Sequence, residues 1–241
     1  MANSYLPVWI LTTTLAGAWP QAADRPLAPY LMDEAREIAL ARSAAPASVS
    51  ADAGVFVLGP DGLARAAESK NGFECMVLRG FNDQGPRTRA TASPPEILGP
   101  ICYGPEAART ELPLQIAKTA LVARGLPAEE IRERLAADLA AGRLRTTDRF
   151  AIAYMFSSAQ WFGPELKHFH PHVMIWTPGL DAKDIGELGA GPLPQLTDPG
   201  AAYALLAIPV PNWVDPVLPG GRQGGDPGDP PVLAPVREIR R

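Results

Sequence analysis

The stretch from 53 to 80, AGVFVLGPDGLARAAESKNGFECMVLRG, decides how the chain is read. Val55 to Leu58 form a β-branched and aromatic run, and the Gly59-Pro60-Asp61-Gly62 tetrapeptide that follows is turn chemistry. Leu63 to Ala67 supply a return strand. Asn71-Gly72 is a strong short hairpin signal, and Phe73 to Leu78 make a third apolar run. Three short strands joined by tight turns predict an antiparallel meander.

Working upstream, PYLMDEAREIALARSAAP (29–46) predicts a short helix. Asp33 can cap it, Glu34 and Glu37 suit the positive end of its dipole, and Pro46 lies beyond its end. Working downstream, residues 80–105 carry five prolines and read as a loop. A helix is expected from about Pro113 to Arg124, ending at Gly125. A second opens at Pro127 with Glu129 and Glu130 in its first turn, carries Ile131, Leu135 and Leu139 on one stripe, and meets Gly142 at its C-terminal end. Apolar runs at 150–162, 172–178 and 201–211 read as strands. The Gly- and Pro-rich span between the last two reads as a surface loop. The expected fold is α+β: an antiparallel sheet with a helical pair packed on it, Pro/Gly-rich loops and an extended C-terminal tail.

Length and composition agree with one domain. The 241 residues are 46% hydrophobic, enough to bury a core without metals. A net charge of −4 offers no basic face for nucleic acid. No apolar run reaches the roughly 18 residues of a membrane span. Residues 1–23 contain LPVWILTTTLAGA followed by small residues, which fits a signal peptide, although no Lys or Arg precedes the run. The domain then covers 24–214. Residues 215–241, rich in Pro and Gly, form a tail with too little apolar content to fold alone and available to contact a protein partner. An exported chain would be periplasmic or secreted, and an oxidising compartment would join Cys75 to Cys102. The alternative for these two cysteines is a pair of buried thiols.

Every histidine lies in KHFHPHVMIW (167–176): His168, His170 and His172. On an extended strand alternate side chains share a face about 6.5–7 Å apart, so an H-x-H pair can chelate one ion. The third ring is about 13 Å from the first unless Pro171 bends the chain. Two or three of these imidazoles, with Glu165, could hold a divalent transition metal: zinc, copper, nickel or iron. A small ligand could use the same cluster, and a histidine in a pocket can also act as general acid or base. The structural alternative is a loop entering a strand, with His172 at its first position. Ser157 and Ser158 lie close in sequence but lack a nucleophile elbow, and there is no P-loop or G-x-G-x-x-G.

Several runs, RPLAPYLMDEAREIALARSAAPASVSADAGVFVLGPDG, NGFECMVLR, GPICYG and HPHVMIWTP, resemble a family of uncharacterised bacterial exported proteins, over about Arg25 to Val210. The resemblance implies export and a shared fold, with no assigned activity and no catalytic or binding residue to transfer. The functional expectation is therefore an exported protein that binds a transition metal or small ligand through its histidines. The alternatives are a metal-assisted hydrolase, and a structural or interaction protein without catalysis.

Overall fold

The computed structural model describes residues 26–82, 94–164, 167–186 and 194–219. After a 3-10 turn at Ala28–Tyr30 come α1 (Glu34–Arg42) and α2 (Ala47–Ser50). Then follow β1 (Gly54–Gly59), β2 (Gly62–Ala67), β3 (Glu74–Arg79) and β4 (Leu98–Tyr103). The helices α3 (Pro105–Ala123) and α4 (Ala128–Ala140) lead to β5 (Ala151–Met155) and β6 (His172–Trp176). The described chain finishes with α5 (Ala182–Ile185), β7 (Gln195–Thr197) and β8 (Leu205–Pro209). The fold is α+β. One open sheet runs β2-β1-β3-β4-β5-β6-β8-β7, antiparallel except where β1 lies parallel to β3.

That parallel pair corrects the expected meander. The hairpin β1–β2 forms, but β3 pairs with the far side of β1 and not with β2. The burial pattern explains the choice. Val55 and Val57 pack on one face of β1, Phe56 and Leu58 on the other, so β1 needs neighbours and cover on both sides. In β2, Ala64 and Arg65 are exposed, which suits an edge.

A second correction is β4, which lies inside the segment expected to be loop. All six of its residues are buried. Pro100 stands opposite Val77 of β3, yet the strand survives because the ladder to β5 is interrupted there. Leu98 exchanges hydrogen bonds with Trp161, and β4–β5 pairing resumes only at Cys102. The missing N–H of Pro100 therefore points into the gap, where no partner is lost.

Both sheet faces are covered. Helix α1, capped by the Asp33 carboxylate accepting from the Arg36 N–H at 3.0 Å, packs over β1, β3 and β4. On the opposite face α3 crosses β2, β3, β4 and β5, and α4 pairs with α3. Helix α3 begins eight residues earlier than expected, at Pro105, and continues through Pro113. Gly104 precedes it because nothing larger fits: a Cβ there would sit 2.9 Å from Ile152 Cγ1 and 3.1 Å from the Ile152 carbonyl. The span after β6, read as loop, also holds α5 and the edge strand β7.

Cys75 and Cys102 face each other across β3 and β4, with their sulfurs at the 2.05 Å bonding distance. Among the described residues no helix is long and apolar enough to cross a membrane. The signal segment 1–23 and tail residues 220–241 lie outside the described residues.

Candidate functional site

Strand alternation gives the sheet face beneath α3 a continuous apolar floor. Ile101 and Tyr103 of β4, Met155 of β5, Met174 and Trp176 of β6, and Leu205 and Ala207 of β8 all project to this side. The helix does not fill the space above it. A cavity of about 240 Å³ remains. Phe169, from the loop before β6, forms part of its wall.

Polar groups enter from several elements, Gln195 and Thr197 of β7 among them. His172 begins β6 opposite Met155 and Pro209 and is 4% exposed. Its Nδ1 lies 2.7 Å from the His170 carbonyl. A carbonyl only accepts, so Nδ1 carries the hydrogen and Nε2 of the neutral ring carries the lone pair. Burial holds the imidazole below its usual pKa, which favours that neutral form. Phe169 packs edge-on against the ring at 5.0 Å and fixes its orientation.

Glu111 and Gln115 enter from α3, one turn apart. Burial pushes Glu111 up to about 7, against the opposing effects of the Thr147 N–H at 3.3 Å and the charge of Lys118 two turns along the helix. The Asn82 amide donates to Gln115 Oε1 at 3.0 Å and anchors that side chain. Tyr103 is held firmly protonated, by burial first and by the negative charge of Glu111 second. The Trp176 indole Nε1–H is buried without a hydrogen-bond partner.

The three histidines do not gather. His168 packs edge-on between Trp161 and Trp213, at 5.3 and 6.4 Å, with both ring nitrogens buried and unpartnered. His170 is exposed and lies beside Phe169. Only His172 lines the cavity. Residues 167–171 form a loop, with Lys167 at φ 48°, that seats His168 against Trp161 and Trp213 and leaves His170 exposed. Among the described residues no three His, Cys, Asp or Glu side chains form a group able to hold a metal ion, and Glu165 lies outside them. Ser157 is bonded to Ser43 at 2.6 Å in the core, and Ser158 bonds Asp215, so both serve to tie segments together.

Sequence reasoning reached His172 and missed Glu111, Gln115 and Tyr103. A signal for Glu111 exists once α3 is started at Pro105. Ala107, Glu111, Leu114, Lys118 and Val122 then share a helical stripe, and all are buried. Two charged residues inside an apolar stripe mark a polar site facing the core. No protein-family model, curated protein or solved structure matches this chain.

Proposed function

We propose that this protein binds a small, mainly apolar molecule bearing a hydroxyl group, with His172 Nε2 as the acceptor. The observation that carries the reading is an apolar cavity onto which a buried neutral imidazole opens, its orientation fixed by the His170 carbonyl. Concave, mostly apolar pockets with a few fixed polar groups are the usual form of small-ligand sites. Size narrows the class. An apolar cavity of about 150 Å³ accepts benzene. A cavity of 240 Å³ suits a substituted single ring or a compact chain of similar bulk.

The same reading takes the chain to be exported. The leader-like N-terminus and the Cys75–Cys102 pair support this, because such bonds persist in oxidising compartments.

The test is calorimetric titration with 4-ethylphenol and ethylbenzene, which differ by one hydroxyl. Saturable one-to-one binding is expected, with the phenol tighter by roughly fivefold, equivalent to about 1 kcal/mol for one net hydrogen bond. His172→Phe should remove the difference between the two. Absence of saturable binding, or a phenol preference untouched by His172→Phe, overturns the reading.

A further inference from the structure

The cavity contains more chemistry than recognition of one hydroxyl requires. Glu111 and Tyr103 line it together, and the charge on Glu111 is close enough to act on the phenol. They come from two different elements, α3 and β4, each packed on the core, so their relative placement is rigid. Tyr103, kept protonated, serves as a donor. Glu111, pushed up to about 7, is present both as carboxylate and as acid near neutrality, which is the condition for taking a proton and giving it back. The groups that act on Glu111 are the Thr147 N–H and the charge of Lys118 from its own helix; Glu111 in turn acts on Tyr103 from the sheet, and His172 stands on the cavity wall supplied by β6. An acceptor, a donor and a proton-exchanging carboxyl thus border one cavity.

We propose that the cavity catalyses proton transfer at the carbon next to a carbonyl, with Glu111 removing and returning the proton and Tyr103 donating to the carbonyl oxygen. The substrate class is a small α-hydroxy ketone or aldehyde on an apolar body. This rests on the binding reading, since the substrate hydroxyl occupies His172.

The step balances without a cofactor. Glu111 carboxylate takes the proton from the α-carbon. The C–H electron pair becomes the new C=C bond as the carbonyl π pair moves onto oxygen, where the Tyr103 O–H hydrogen bond stabilises the developing charge. The Glu111 acid then returns a proton either to the same carbon or to the former carbonyl carbon. The second route, with the hydroxyl and enolate oxygens exchanging their proton, moves the carbonyl by one position. Nothing is oxidised or reduced overall.

The experiment uses 2-hydroxyacetophenone in D₂O, with loss of the CH₂ proton signal followed by NMR and binding followed in the same samples by calorimetry. Exchange faster than in buffer is expected, rising with pH through about 7 as Glu111 ionises. Glu111→Gln should lower the enzymatic exchange by about a hundredfold or more, the usual contribution of a positioned base. Tyr103→Phe should lower it by about a hundredfold as an oxyanion donor is lost. If a variant does not fold, the wild-type pH profile carries the test, and a flat profile overturns the assignment. Binding without exchange above buffer overturns the catalytic proposal and leaves the binding reading intact. No binding overturns both. Exchange undiminished in folded Glu111→Gln overturns the role of Glu111.

Discussion

Burial sets the charge on Glu111, and that makes its ionisation a stability term. Its pKa rises from an ordinary 4.5 to about 7 in the folded chain, so the folded state holds a proton that the unfolded state releases. Stability is therefore full below about 4.5 and falls as pH rises through about 7, by about 3 kcal/mol for a shift of this size. Urea denaturation at pH 5 and 8 should show this fall in the wild type and a flatter profile in Glu111→Gln. His172 runs the other way. Its pKa is lowered from 6.5, so its contribution is present above that value and is lost as pH falls below it. A further buried pair joins α1 to β3. Arg79 Nη2 meets Glu37 Oε1 at 2.8 Å, both side chains are 1% exposed, and Arg79 also donates to the Tyr30 and Val77 carbonyls. Glu37→Ala leaves that guanidinium buried without its counter-charge and should cost about 3–5 kcal/mol in chemical denaturation. Of these residues His172 could be found from the sequence, because a histidine after proline at the start of an apolar run reads as a strand entry. Glu37 could not, because a charged residue in a helix is ordinarily placed in solvent, and Glu111 could only with α3 started at Pro105.

At the scale of elements, local chemistry was legible and strand order was not. The Asp33 cap and Gly142, at φ 70° just past α4, follow from residue type alone. Turn residues announce that β1 and β2 form a hairpin, but they cannot say on which side β3 joins. That depends on which strand buries both faces. Two prolines misled the reading for opposite reasons: Pro100 sits where a ladder is already broken, and Pro113 continues a helix whose packing on the sheet outweighs one lost hydrogen bond. Starting α3 at Pro113 also cut Glu111 out of the helix and hid the site. Two predictions belong here. Gly104→Ala forces a Cβ against Ile152 and should destabilise the fold by about 1–3 kcal/mol in urea denaturation. The Cys75–Cys102 bond closes a loop with a sequence separation of 27, so its reduction should cost about 3.5 kcal/mol on the loop-entropy account. Thiol labelling of unfolded, unreduced protein should find no free cysteine.

For the whole molecule, the site is a product of assembly. Its floor needs β4, β5, β6 and β8 side by side, its ceiling needs α3, and part of its wall needs the loop carrying Phe169. No local stretch contains that arrangement, which is why the histidine run attracted notice while the cavity did not. Export, the other property of the whole chain, predicts that protein recovered from its native cells begins near Trp19 or Asp24; intact mass of the native protein checks it, and Met1 retained counts against it. On the binding proposal a small molecule enters the space beneath α3, and methyl NMR of labelled methionine reports its entry. Met155 and Met174 line the cavity, whereas Met32 packs with the cluster on the opposite face. Titration with 4-ethylphenol should shift the Met155 and Met174 methyls along one saturating curve and leave Met32 in place. A response confined to Met32, or no saturable shift at either cavity methionine, overturns the binding proposal.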